Sequence, residues 1–278
     1  MQQFLSCFTS LLLLTLVPPL VLGLAVWICQ KLFYLFVGTH SGKPLLFVSS
    51  VLSVPLREAG HALACMLFFH RIEEICLFSL NDPDGELGYI EHSYNPRNPL
   101  AQFGNLVYAL APVVLGLFAV LVIFLSCFRG ALAPFFEEIA LMREGGATLA
   151  AYASTSVSLI VKMFAGGTAD VLSKVIGVVL LLMICLGIHV TPSDLLDAFW
   201  GLLLYAMLAA LASFVLVMLD ARVVGVAIDA LSGFATAVTA LFAPVLLFAV
   251  SLLAVSAVFF LIRTLLGLDR VSNNKEGN

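Results

Sequence analysis

Charge is scarce in this sequence. Only 11% of the 278 residues are Asp, Glu, Lys or Arg, while 62% are hydrophobic. Soluble domains carry about 25% charged residues, so this composition argues against a water-soluble fold. A basic tract is also missing, and with a formal net charge of −4 the chain offers no surface for nucleic acid. Closely spaced cysteine pairs are absent as well. Cys7, Cys29, Cys65, Cys76, Cys127 and Cys185 are scattered along apolar segments, which excludes zinc-ribbon and dithiol motifs and reads as reduced, packed thiols. No fixed-period repeat and no Gly/Ser or Pro linker divides the chain, so a single membrane domain over 1–268 is expected, with a polar, disordered tail over 269–278.

What is present is apolar length. A helix needs about 20 mostly apolar residues to cross a hydrocarbon core of about 30 Å. Uncharged runs of that kind lie near 4–30, 45–70, 103–128, 175–189, 199–219 and 236–262. They predict an all-α polytopic membrane protein of about six transmembrane helices. Phe4–Gln30 lacks a basic flank and is too long for a signal-peptide core, so it reads as a retained helix, kinked or broken at Pro18-Pro19. Lys and Arg summed over alternate loops give only a slight excess, which favours both termini outside.

Two connections are polar. In 71–100, Ile75–Leu80 and Leu87–Tyr94 flank Asn81-Asp82-Pro83-Asp84-Gly85, whose turn chemistry predicts a small β-hairpin between the second and third spans. In 129–174, Phe135-Phe136 beside Glu137, Glu138, Arg143 and Glu144 suggests an amphipathic helix at the interface; an ordinary solvated helix reads equally well.

Pro55-Leu56-Arg57-Glu58-Ala59-Gly60-His61-Ala62-Leu63-Ala64 places three ionisable groups inside an apolar run. A charge at mid-span costs about 2.5–3.5 kcal/mol on insertion scales, so Arg57 and Glu58 must face protein or water and find partners. Here the sequence resembles the site-2-type intramembrane zinc metallopeptidases, whose helix motif is His-Glu-x-x-His. Glu58 and His61 fall at that family's general base and second zinc ligand, and Arg57 stands where its first histidine belongs. The likeness extends through Gly88-Tyr89-Ile90-Glu91-His92-Ser93-Tyr94-Asn95 and Gly104-Asn105…Ala111-Pro112, covering roughly Leu52–Gly116.

The resemblance implies zinc as cofactor, Glu58 as general base, His61 as a ligand and a later aspartate as another. Thr191-Pro192-Ser193-Asp194 makes Asp194 the preferred choice over Asp197, Asp220 and Asp229, and His189 with Asp194 and His61 is a conceivable set. It also implies a substrate contact along Tyr89, Ile90, His92, Asn95 and Asn105, with the hairpin edge holding an unwound membrane segment as an added strand. His40, His70 and His92 otherwise read as interface or loop histidines. Arginine has five donors and no lone pair, so it cannot replace a zinc ligand. A hydrogen-bonded pair of Arg57 with Asp194 would instead fill the place of the metal.

Three function classes follow. The favoured one is a catalytically impaired, peptidase-like protein that binds membrane partners, a substrate protein or a partner helix within the lipid bilayer. The second is an active intramembrane metallopeptidase with non-standard zinc ligands, and the third a channel or transporter. A bacterial inner membrane suits the resemblance.

Overall fold

The fold comes from a computed structural model that describes residues 1–37, 43–79, 87–128, 130–145, 149–165 and 170–265. Its elements run α1 (Gln2–Val37), α2 (Lys43–Ser50), α3 (Ser53–Leu67), β1 (Arg71–Cys76), β2 (Tyr89–Ser93), α4 (Pro99–Cys127), α5 (Leu132–Gly145) and α6 (Leu149–Ala165). They continue with α7 (Val171–Ile184), a 3-10 turn (Cys185–Gly187), α8 (Pro192–Asp197), α9 (Phe199–Leu219) and α10 (Ala221–Leu265). Four helices, α1, α4, α9 and nearly all of α10, are long and apolar enough to cross a membrane. Many of their large apolar side chains point outward, as Leu13, Val114, Phe118, Leu211, Phe214, Val258 and Leu261 do. In water such a surface would aggregate; in lipid it is solvated.

The apolar runs at 45–70 and 175–189 do not form single spanning helices. The first breaks at Val51-Leu52 into α2 and α3. Pro55 is the physical cause. It lacks the N–H that would bond to the Val51 carbonyl, and its ring crowds that carbonyl, so the position favours a helix start, and Pro55 sits in the first turn of α3. In the second run α7 ends at Ile184, and the chain tightens into the 3-10 turn before leaving helix altogether at Ile188-His189. Cys185 through Val190 are all buried, which is where membrane proteins tolerate irregular backbone. By contrast Pro18-Pro19 does not break α1, which continues for 36 residues.

Sequence signals set several helix starts. Asn98 caps α4 by accepting from Leu100 N, with Pro99 in the first turn; Asp170 caps α7 by accepting from Leu172 N. Thr191 and Asp194 form a reciprocal capping box around α8.

The C-terminal ends of α1 and α10 lie together. Phe36 packs on Phe260 at 5.6 Å between ring centres, and Arg263 Nη1 donates to the Val37 carbonyl at 2.9 Å. The two helices pack along one another and so run in the same direction. At 1.5 Å per residue the 45 residues of α10 reach about 68 Å, more than twice a hydrocarbon core.

The hairpin forms, with its first strand earlier than the residue pattern suggested. β1 begins at Arg71, and the antiparallel register pairs Ile72 with His92 and Ile75 with Ile90, with a bulge between Ile72 and Glu74. The expected turn at 81–85 lies outside the described residues, as do the tail 269–278, His40 and Gly166-Gly167. Within 129–174, α5 and α6 are joined by a Glu138–Lys162 ion pair and bury Phe135, Leu159 and Met163, so this segment turns an apolar face onto protein, α10 included.

Candidate functional site

α3 buries Val54, Glu58, His61 and Cys65 at helical spacing, so a carboxylate, an imidazole and a thiol share its inward stripe. The facing wall is α4. Gly60 makes the close approach possible, because a Cβ there would stand 3.0 Å from the Ala111 carbonyl group.

At the first half of α3, Arg57 Nη2 and Nε lie 2.5 and 2.7 Å from Glu58 Oε1. The same Nη2 donates to the Gly88 carbonyl at 3.0 Å, tying α3 to the hairpin. Adjacent helix residues diverge by about 100°, so this pair depends on arginine's length to curl back. The Glu58 side chain is 2% exposed and that of Arg57 21%.

His61 stacks on Tyr108 at 4.0 Å, and its Nδ1 lies 3.1 Å from the Tyr108 carbonyl, which leaves Nε2 to face elsewhere. His189 is arranged similarly. Its Nδ1 lies 2.9 Å from the Leu186 carbonyl, and its buried Nε2 has no hydrogen-bond partner among the described residues. Asp194 is committed to the capping box, with Oδ2 accepting from Thr191 N at 3.2 Å. Burial pushes its carboxyl up, while the Thr191 hydrogen bonds and the charge of Arg57 pull the other way. Arg57 thus acts on Asp194 through space and makes its ion pair with Glu58.

Among the described residues, His61, His189 and Asp194 do not bring three ligand atoms together, and Arg57 cannot supply one. Zinc held as the resemblance implies does not fit this locus.

The other expected contacts spread along one strand and one helix. Tyr89 Oη donates to Glu74 at 2.7 Å, Ile90 is buried, and Asn95 Oδ1 accepts from Arg97 N at 3.0 Å in the exposed turn after β2. Asn105 is buried on α4, and its Nδ2 has no hydrogen-bond partner among the described residues. His92 lies against Tyr108 at 4.5 Å and His70 at 5.1 Å, which places the Tyr108 ring between His61 and His92.

A cluster passed over in the sequence lies at the end of α3. One ligand atom each from Cys65, His70 and His92 falls within 4.8 Å of the others, a group that could hold a metal ion. Its framework is a helix end: the His70 N–H bonds to the Cys65 carbonyl at 2.9 Å, with Phe69 between them at φ 62°. This closure with a left-handed residue brings His70 back beside Cys65. Burial holds the His92 imidazole below its usual range, and His70 pushes the same way, against opposing effects of Asp197 and a backbone hydrogen bond at Ile90. The available signal was a cysteine and a histidine five residues apart across a helix end, which matches no common metal spacing.

Neither family models nor characterised proteins nor solved structures give any match to this chain.

Proposed function

We propose that this chain is a membrane-embedded protein of site-2-peptidase-like descent in which the hydrolytic site has become a structural charge pair, leaving a binding role toward membrane partners. The observation carrying this reading is the Arg57–Glu58 pair. A general base must be free to take a proton from a metal-bound water. Here the carboxylate oxygen accepts from two nitrogens of a permanent cation, in the place where a ligand would be needed. The α2–α3 pair and the α7 segment would be embedded with the four long helices, giving the six apolar segments of the sequence. The bacterial inner membrane is part of the same reading.

The hairpin supports binding. A two-stranded sheet leaves an outer edge on each strand, and an unwound membrane segment can add to such an edge through backbone hydrogen bonds. Tyr89, Ile90 and His92 would then line the path between that edge and α4.

A second reading, an active peptidase with unusual ligands, is favoured by one observation: the unpartnered Nε2 of His189, with His61 also held at Nδ1 by a backbone carbonyl. Purified protein in bilayers with membrane-embedded model substrates separates the two. Wild type and Glu58→Gln should both leave the substrates intact while photo-crosslinkers at Tyr89 capture them. Cleavage by wild type that is lost in Glu58→Gln would sink the binding reading.

A further inference from the structure

We propose that Cys65, His70 and His92 form a binding site for a thiophilic transition-metal ion such as zinc(II), at the end of α3 opposite the Arg57–Glu58 pair. It is independent of any peptidase likeness, because none of its ligands belongs to the His-Glu-x-x-His positions.

The ring of His70 is the decisive observation. The residue is 7% exposed, and Nε2 lies 2.8 Å from the Ala101 carbonyl, so Nε2 carries the hydrogen. In the neutral ring Nδ1 then carries the lone pair, and it is buried without a hydrogen-bond partner among the described residues. A buried acceptor left unsatisfied is destabilising, which makes a ligand for that lone pair favourable. An imidazole whose one nitrogen donates to a backbone carbonyl while the other carries a free lone pair has the orientation found in metal-bound histidines.

The neighbours complete the donor set. Cys65 is fully buried and in no disulfide, and its place is locked to His70 by the helix-end hydrogen bond. His92 comes from β2, with its ring nearly parallel to that of His70 at 7°. It is half-buried, which leaves a route for an ion. Zn–S of about 2.3 Å and Zn–N of about 2.0–2.1 Å in tetrahedral geometry put ligand atoms about 3.3–3.6 Å apart. Contraction from within 4.8 Å to that separation is of the order of 1 Å, within reach of side-chain rotation.

Two imidazoles and one thiolate, with no carboxylate, select soft and borderline ions over magnesium or calcium. On binding, the Cys65 thiol releases its proton to water and a sulfur–metal bond replaces the S–H bond; nothing is oxidised or reduced. Three protein ligands leave a fourth position for water or a partner's donor atom. The ion would pin the hairpin to α3, fixing the strand that the proposed function uses as a docking edge.

The test uses the full chain in detergent, stripped with chelator and titrated with cobalt(II), which reports thiolate ligation through its near-ultraviolet charge-transfer band, and then with zinc(II). One ion per chain with that band is expected. His92→Gln, on the half-buried strand, should weaken zinc binding by at least about 100-fold, since even an outer-shell change costs 10–100-fold. Cys65→Ser should abolish the band. Should Cys65→Ser fail to fold, the wild-type band and its loss in His92→Gln still decide the matter. Wild type with no thiolate band overturns the proposal, as does zinc that persists in His92→Gln and disappears in His61→Gln.

Discussion

At the first half of α3, Glu58 has two guanidinium nitrogens within 2.7 Å; about 12 Å further along the axis, beside the last turn of α3, His70 Nδ1 has no hydrogen-bond partner among the described residues. Both regions are walled by α4, and both touch Tyr108 or its neighbours. One has its charge satisfied within the protein, the other keeps a lone pair unsatisfied. Residue identity alone points to metal chemistry at the first place, because a glutamate and a histidine stand at motif spacing there. Among the described residues, the group that could hold a metal ion lies at the second, because a ligand needs an open lone pair and a converging neighbour, whatever motif surrounds it.

The largest test breaks the satisfied end. Arg57→Met takes the paired cation away from the buried Glu58 carboxylate, which should cost about 3–5 kcal/mol in reversible unfolding from mixed micelles. Adding Glu58→Gln should recover most of that loss, since a buried pair replaced on both sides is often nearly neutral. An Arg57→Met protein as stable as wild type would mean that the pair is not what holds this charge in the membrane. Arg57→His reopens the metal question here: stoichiometric zinc with new cleavage of a model substrate would show that the remainder of a peptidase site is intact.

The next test separates the two ends by crowding. A Cβ on Gly104 would stand 2.4 Å from Phe68 Cβ and 2.9 Å from His70 Nε2. Gly104→Ala should therefore cost about 1–3 kcal/mol by overpacking and also lower metal affinity, because it displaces the ring from Ala101. Gly60→Ala crowds the backbone of Ala111 and Pro112 at the other end and should destabilise by a similar amount while leaving metal affinity in place. Equal loss of affinity in both would show that the two ends are not independent.

Relief of strain should give a smaller effect. Phe69 holds φ 62° with its side chain 71% exposed, and a left-handed residue with a Cβ costs roughly 1–2 kcal/mol. Phe69→Gly removes that cost, offset in part by the greater freedom of glycine in the unfolded chain. A net gain of about 0.5–1 kcal/mol in the same unfolding measurement is expected, with metal affinity preserved. A loss would show that the Phe69 ring contributes packing its exposure does not suggest.

The membrane character of the fold was legible because it rests on composition. Phe199–Leu219 matches α9 at both ends, and Phe103–Phe128 differs from α4 by only a few residues. The break at Val51-Leu52 was legible too, in Pro55, but hydrophobic length outweighed it. The hairpin followed from its turn residues, whereas its first strand was misplaced because the helix end at Phe68–His70 launches the chain directly into β1. That closure uses phenylalanine where glycine is usual, so no residue marked it. The same hidden turn concealed the Cys65-His70-His92 group, since only a folded-back chain brings Cys65 and His70 together, and only strand register delivers His92. Arg57 and Glu58 were visible as a problem of buried charge; that they solve it for one another depends on a side-chain path that spacing does not encode.

The smallest expected effect bears on which carboxylate answers Arg57. Asp194 sits in a capping box, and burial raises its carboxyl above the ordinary value of about 3.9. A raised carboxyl favours the folded state while protonated, so its contribution is fully present below the unfolded value and is lost as pH rises through the folded one. At neutral pH the charged form is therefore slightly unfavourable. Asp194→Asn keeps an oxygen that can accept from Thr191 N, gives up a favourable charge at a helix start, and should change stability by no more than about 0.5 kcal/mol. The residual difference from wild type should shift toward wild type as pH falls toward 4, because protonation removes the charge that the substitution removes. Were Asp194 the true counter-ion of Arg57, the same change would instead strip a buried guanidinium of its partner and cost several kcal/mol at neutral pH. A melting series of Asp194→Asn beside Glu58→Gln across that pH range assigns the partner by size of effect: the glutamate substitution should be the costly one.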